Sequence, residues 1–187
     1  GDSSTAKHHI PANGIDGDWE ACQTLNGTWG YSADNQQWKT AEDLIHELVD
    51  VVSRGGNFLL NIGPKSDGSI PEESVRLFKE IGKWMKTNGE AIYGTRANPF
   101  DKEFQWGRIT RKGDDKLYLI MYGKPANGTI ELPYTFENKR VKAHTLRNKK
   151  AVKVTQDTNR KVCTVDVSSV TFNEPATVIE LDGKWSL

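Results

Sequence analysis

Several features that mark other classes of protein are missing from this 187-residue sequence. No apolar run approaches the roughly 20 residues that a helix needs to span a bilayer. There is no initiator Met, and no basic start followed by an apolar stretch that would indicate a signal peptide. The first residues, 1–4, are polar and of loop type. We therefore expect Gly1 to be a processed, truncated or internal start rather than a native beginning.

The sequence also has few cysteines and no net charge. The first argues against disulfide-rich and metal-binding proteins, and the second against proteins that bind nucleic acids or anionic membranes. Two cysteines occur, Cys22 and Cys163. They are too few for a disulfide framework or a metal site, and we expect two buried free thiols. Lys and Arg together number 25, as do Asp and Glu, so the charge balance favours neither nucleic acid nor an anionic membrane as a partner. We expect no metal ion and no cofactor, while six tryptophans permit a neutral ligand such as a sugar.

The first half of the chain alternates between helix and strand patterns. Thr40 can cap a helix that begins at Ala41 and ends near Gly55. Residues 57–62 form a near-continuous apolar run, the pattern of a parallel strand buried on both faces. Pro71 then starts a second helix, and the order αβα is typical of a parallel α/β architecture. The predicted buried stripe of the second helix comprises Val75, Phe78, Ile81, Trp84 and Met85.

From about Phe100 onward, short β-rich runs separated by turn residues replace this pattern. Seven such runs at this spacing predict an antiparallel β-sandwich. The predicted strands are residues 104–110, 116–122, 129–132, 141–146, 151–155, 162–167 and 177–181. With Pro99 near the boundary, residues 1–97 and 98–187 are predicted to form two domains.

Residues 16–40 contain the candidate chemistry. If residues 19–25 form a barrel strand, the long loop after that strand lies at the catalytic face of the barrel. Trp29, Tyr31 and Trp38 in this loop could wall a cleft, because flat apolar rings pack against the C–H faces of sugars. The same rings could instead pin the loop to the rim of the barrel.

Glu20 directly follows Trp19 in this segment. A carboxyl group against an indole loses solvation, which favours the protonated form that a general acid needs. Glycoside cleavage uses such an acid together with a second carboxylate that acts as nucleophile or base. From the residues alone, Glu20 could also be a solvated surface group, and Asp16, Asp18 and Asp34 fit polar loops better still.

Long contiguous strings in the first half resemble the end of the catalytic domain of α-L-fucosidases of glycoside hydrolase family 29. The strings are WEACQT (19–24), WGY (29–31), LVDVVSRGGNFLLNIGP (48–64), DG (67–68), IP (70–71) and NGEAIYGT (88–95). Their length and order make the resemblance specific over about residues 1–97. It implies α/β plus all-β architecture, namely the C-terminal portion of a (β/α)8-like barrel followed by an antiparallel β-sandwich.

The resemblance also implies a chemical mechanism. In this family an aspartate nucleophile and a glutamate acid/base hydrolyse the glycoside with retention of configuration. The glutamate of several members falls on Glu20. Other members carry theirs in a stretch similar to residues 1–9, where this sequence has Lys7, whose ammonium group is a poor proton shuttle at neutral pH. Glu20 is therefore the predicted acid/base, and the nucleophile is expected outside this segment.

The remaining expectations concern substrate and partners. Trp19, Trp29, Trp38 and Asn61 are predicted to contact substrate, although Asn61 could equally bond the loop backbone at Gly63. The expected partners are a fucosylated glycan and the upstream part of the same catalytic domain, without which the chain is not expected to fold stably. The family resemblance implies a secreted, periplasmic or lysosomal location. The alternative function is a non-catalytic carbohydrate-binding protein of the same architecture.

Overall fold

The computed structural model describes residues 10–186 and, for the backbone alone, Ser4 and Thr5. Lys7, which bears on the choice of acid/base, lies outside the described residues. The first half contains β1 (Ser4–Thr5), β2 (Trp19–Thr24), α1 (Ala41–Ser53), β3 (Asn57–Asn61), α2 (Glu72–Asn88) and a 3₁₀ turn (Gly89–Ala91). Within the described residues, no helix is long and apolar enough to cross a membrane.

The three strands that the structure describes in the first half form a parallel sheet in the order β1-β2-β3. On one side of this sheet, Leu60 of β3 packs against a buried cluster that includes Leu44 of α1 and Leu77 of α2. On the other side, Leu59 is 44% exposed. The prediction that β3 is buried on both faces is therefore wrong for the described residues, which cover only the face against the helices.

The helix boundaries follow local signals in the sequence. Thr40 Oγ1 accepts a hydrogen bond from the Asp43 backbone N–H at 3.0 Å, and the Asp43 carboxylate accepts one from the Thr40 N–H at 3.1 Å. This reciprocal pair confirms the predicted cap of α1. The helix ends before Gly55, whose φ of +80° suits glycine. Pro71 immediately precedes α2, at its N-cap rather than at its first helical position.

The apolar stripe predicted for α2 is only partly buried. Of the predicted residues, Trp84 is buried, whereas Val75 is 38% exposed and Phe78 is 40% exposed; Leu77, which the prediction did not include, is fully buried. The apolar residues of α2 occupy two adjacent faces of the helix. One face packs against the rest of the described structure, and the other is exposed. The prediction treated the two faces as one buried stripe.

The described part of the second half, up to residue 186, contains nine strands, which pair in antiparallel fashion. They are β4 (Gly107–Lys112), β5 (Lys116–Met121), β6 (Thr129–Leu132), β7 (Thr135–Phe136), β8 (Lys142–Thr145), β9 (Lys153–Asp157), β10 (Val162–Asp166), β11 (Thr177–Asp182) and β12 (Trp185–Ser186). All seven predicted strands are present, with shifted ends in most cases. The two-residue strands β7 and β12, which pair with each other, were not predicted.

Two larger sheets of this half enclose one apolar core. The sheets have the strand orders β4-β5-β11-β8 and β6-β10-β9. Fully buried side chains such as Leu119, Ile179 and Val165 come from both sheets and meet in one cluster. This cluster includes Cys163, which confirms the expected burial of that thiol.

The two halves of the chain pack tightly on each other. The second face of the β4-β5-β11-β8 sheet meets α1 and α2, so that this sheet is covered on both sides. The Trp84 indole N–H donates to the Ala176 carbonyl at 2.9 Å. The mixed apolar cluster at this junction includes Ile45, Val49, Trp84, Tyr118, Ile120 and Val178. A charged contact also joins the two halves: Asp50 of α1 accepts a hydrogen bond from Arg108 of β4 at 2.7 Å. Asp50 accepts a second hydrogen bond from Arg54, in its own half, at 3.2 Å.

Candidate active site

The face of the parallel sheet that the described residues leave uncovered carries the candidate acid/base. Successive side chains of a strand point to opposite faces, so Glu20 shares its face with Cys22. In the parallel register Glu20 lies beside Asn57, and Thr24 lies beside Asn61. We refer to this surface as the open face. It presents carboxyl, thiol and amide groups rather than a continuous apolar surface.

Glu20 and Cys22 are in contact on the open face. The Cys22 thiol donates a hydrogen bond to Glu20 Oε1, with a sulfur–oxygen distance of 3.4 Å. Desolvation raises the pKa of the Cys22 thiol, and so do the hydrogen bond to Glu20 and the charge of that carboxylate. The thiol therefore stays protonated near neutral pH and can act as a donor. Cys22 is free but only half-buried, which corrects the expectation of a buried thiol.

Trp19 lies on the opposite face of β2 from Glu20. Its indole N–H donates to the Arg54 carbonyl at 3.2 Å, and the side chain is 3% exposed. The expected contact between the indole and the Glu20 carboxyl is therefore absent from the described structure, because neighbouring residues in a strand alternate. The same placement disagrees with the expectation that Trp19 contacts substrate. Through its hydrogen bond to Arg54, the buried Trp19 side chain instead links β2 to the turn after α1.

The loop between β2 and α1 separates its aromatic residues into two groups. Trp38 is partly buried and packs against the cluster that contains Leu25 and Leu44. Trp29 and Tyr31, in contrast, are 57% and 41% exposed. Trp38 thus fits the alternative of pinning the loop, whereas Trp29 and Tyr31 stay accessible to a ligand.

Asn61 contacts this loop directly. Its side-chain N–H donates to the Trp29 carbonyl at 2.6 Å. The alternative that Asn61 bonds the loop backbone agrees with this contact, although the acceptor is at Trp29 and not near Gly63. A second contact that the sequence did not suggest is Lys39, whose ammonium lies 2.8 Å from the Glu47 carboxylate of α1. The two contacts join residues 32 and 8 positions apart, and no spacing pattern indicates either of them.

One cluster in the second half has the composition of a metal site. His144, Glu180 and Asp182 bring potential ligand atoms within 4.8 Å of one another. The Lys116 ammonium already lies 2.8 Å from Glu180 and 3.6 Å from Asp182. His144 Nε2 lies 2.6 Å from the other Glu180 oxygen. These carboxylates are thus paired with side chains of the protein, and the cluster belongs to β5, β8 and β11 rather than to the open face.

Comparison with known proteins identifies the family. A family model described as alpha-L-fucosidase matches residues 1–90. Plasma alpha-L-fucosidase of Rattus norvegicus is 43% identical over 122 residues, covering 61% of this chain and 26% of the relative. Alpha-L-fucosidase of Dictyostelium discoideum is 33% identical over 143 residues, covering 73% of this chain and 31% of the relative. The chain belongs to the α-L-fucosidase family. It spans less than a third of the length of these curated family members.

Solved fucosidase structures resemble both halves of this family member. Alpha-L-fucosidase isoenzyme 1 of Paenibacillus thiaminolyticus superposes with a TM-score of 0.80 and 37% identity, covering 94% of this chain and 44% of that chain. A GH29 alpha-L-fucosidase of Bacteroides thetaiotaomicron, trapped as a covalent intermediate with 2-fluoro-fucosyl fluoride, has a TM-score of 0.80 and 30% identity. That superposition covers 96% of this chain and 42% of that chain. The mixed fold of this chain, mostly sheet with few helices, therefore recurs within larger solved fucosidases.

Proposed function

We propose that this chain is the C-terminal part of a retaining α-L-fucosidase that removes terminal α-L-fucose from glycans. Membership of the family, combined with a glutamate on the open face of the parallel sheet, carries the proposal. The trapped covalent intermediate of the Bacteroides relative is the kind of species that double displacement forms. Among the secreted, periplasmic and lysosomal locations, a relative named plasma alpha-L-fucosidase supports the secreted one.

In the proposed reaction, Glu20 transfers protons in both steps. It first protonates the glycosidic oxygen while an aspartate of the upstream part attacks the anomeric carbon, which breaks the bond to the leaving sugar. Glu20 then takes a proton from the water that displaces the aspartate and releases fucose. Trp29 packs against the apolar side of the sugar. Trp38 holds the loop in place by packing against the buried cluster that contains Leu25 and Leu44. The Cys22 thiol holds a hydrogen bond to Glu20 between these steps.

We further propose that residues 1–97 complete a (β/α)8-like barrel and that residues 98–187 are the β-sandwich domain behind it. In the described residues, β3 is an edge strand, and exposed apolar side chains surround the groove between it and α2. These side chains are Ile62, Ile70, Val75 and Phe78. An apolar patch beside an unpaired strand favours burial against another element. The upstream part of the same catalytic domain fits this surface, and we call the two portions together the complete protein.

A second candidate is a protein that binds fucose without cleaving it. Glu20 is the second residue of β2 and so lies nearer the amino end of the strand, whereas catalytic groups of barrel enzymes gather at the carboxyl ends. Trp29 and Tyr31 follow the carboxyl end of β2, and they could hold a sugar without any acid. The position of Glu20 near the amino end of β2 is the observation that favours this candidate. Hydrolysis of a fucoside is therefore the first property to measure.

The test compares aryl α-L-fucosides with matched aryl galactosides, using the complete protein. We expect hydrolysis of the fucoside with at least about a hundredfold preference in kcat/KM over the galactoside. Fucose binding without hydrolysis of either substrate would establish the second candidate. Preferential hydrolysis of the galactoside would contradict the proposed specificity, since architecture alone does not fix the substrate.

A further inference from the structure

The tip of the loop between β2 and α1 is fastened to the end of β3. Asn61, the last residue of β3, donates its side-chain N–H to the Trp29 carbonyl at 2.6 Å. Inside the loop, the Asn35 amide donates to the Asn26 carbonyl at 2.7 Å. At the base of the loop, the Lys39 N–H donates to the Leu25 carbonyl at 2.8 Å. Hydrogen bonds thus hold the loop at its base, within the loop and at its tip.

Gly63 forms the second part of this attachment. A Cβ atom at residue 63 would lie 2.7 Å from the Gly30 carbonyl carbon and 2.7 Å from the Tyr31 nitrogen. Real Cβ atoms do not approach backbone atoms so closely, so a side chain at residue 63 would push the loop away. The absence of a side chain lets the backbone segment that joins Trp29 to Tyr31 rest directly on the chain after β3.

A small cavity lies beneath the attachment and borders Ser74 of α2. Its volume is about 10 Å³, room for about one water molecule. Ser74 is 1% exposed, and its hydroxyl has no hydrogen-bond partner among the described residues. Asn61 and Gly63 line the same cavity. A water molecule here would satisfy the Ser74 hydroxyl and connect α2 to the attached loop.

We propose that Asn61 is a positioning residue, which together with Gly63 fixes the aromatic loop and so presents Trp29 and Tyr31 to the sugar. This inference rests on the proposed function for the identity of the ligand. It assigns Asn61 a role other than bonding the sugar itself, since one N–H of its side-chain amide is bonded to the loop. With the loop ordered beforehand, sugar binding does not have to supply the ordering free energy. Loss of the attachment then weakens binding more than it slows the chemical steps.

The attachment can be measured without any activity assay. Chymotrypsin cleaves after exposed aromatic residues, so cleavage after Trp29 and Tyr31 reports opening of the loop. In the complete protein, Asn61→Ala and Gly63→Ala should each accelerate this cleavage by about tenfold, the effect of losing one good contact. Asn57→Ala is the matched control, because Asn57 shares the strand and the face of Asn61 but lies at the other end of β3. Cleavage at the control rate in both variants would overturn the inference.

Kinetics then separate positioning from direct sugar contact. Both variants should raise KM for an aryl fucoside by about tenfold while kcat changes by less than about twofold. If Asn61→Ala raises KM and Gly63→Ala does not, Asn61 is a sugar ligand and the inference is wrong, although the proposed function stands. If the unmodified protein hydrolyses no fucoside, the proposed function fails, and the cleavage rates still decide whether Asn61 and Gly63 hold the loop.

Discussion

Gly56 lies where the Trp19 indole packs against the turn between α1 and β3. A Cβ atom at residue 56 would come within 2.5 Å of the ring. The ring has little room to retreat, because it is 3% exposed and its N–H is bonded to the Arg54 carbonyl. Since Trp19 and Glu20 are adjacent in β2, this packing also sets the position of the Glu20 backbone.

Replacing Gly56 therefore tests how the strand of the acid/base is supported. We expect Gly56→Ala to lower the free energy of unfolding of the complete protein by about 1–3 kcal/mol, the usual cost of overpacking. Gly82→Ala is the control: Gly82 lies within α2 with nothing within 4 Å of the added Cβ, and alanine there should stabilise by about 0.5–1 kcal/mol. Denaturant unfolding measures both variants. Equal midpoints for the two would contradict the described packing of Trp19.

The neighbouring residues Leu77 and Phe78 show that α2 has two apolar faces with different surroundings. Leu77 is fully buried against α1, whereas Phe78 is 40% exposed beside the groove at β3. The buried face holds the helix in this chain. The exposed face is the surface that we propose for the upstream part of the domain.

The two faces should respond differently to mutation. Leu77→Ala should cost about 2–5 kcal/mol of unfolding free energy, because it leaves a cavity. Phe78→Ser should instead leave the isolated chain more monomeric and weaken its association with the upstream part when the two are supplied separately. Sedimentation of the isolated chain and a binding titration measure these effects. An isolated unmodified chain that is monomeric and melts in one sharp transition would contradict a need for the upstream part.

Elements with local signals could be predicted from the sequence, and elements set by distant contacts could not. The cap at Thr40 and the strand at residues 129–132 depend on neighbouring residues, and both occur as expected. The open face of β3 and the exposed Phe78 depend on which surfaces other elements cover. The contact between Asn61 and Trp29 joins residues 32 positions apart, so no local pattern could indicate it.

At the scale of the whole molecule, a partly buried hydrogen bond links the two halves through Glu90. The Tyr118 hydroxyl of β5 donates to the Glu90 carboxylate at 2.7 Å. This hydrogen bond lowers the pKa of Glu90 below its ordinary value of 4.5. A carboxyl group whose pKa is lower in the folded state stabilises the fold above its unfolded pKa, and that stabilisation is lost as the pH falls through the lowered value.

Acid unfolding should therefore depend on Glu90. Between about pH 6 and about pH 3, the free energy of unfolding of the complete protein should fall, and Glu90→Gln should make the fall smaller. Glu137→Gln, at an exposed position of the second half, serves as the control. Urea unfolding at several pH values measures the difference. An unchanged acid dependence in Glu90→Gln would exclude this contact as a pH-sensitive link between the halves.

The most direct test of the account is the activity of Glu20→Ala in the complete protein. Turnover of fucosides with poor leaving groups should fall by about 10²–10⁴-fold, because these substrates need a proton donor. Activated aryl fucosides do not need the acid, and azide should partly restore their turnover by replacing the water that Glu20 would deprotonate. Unchanged activity on both types of fucoside would remove Glu20 from the mechanism.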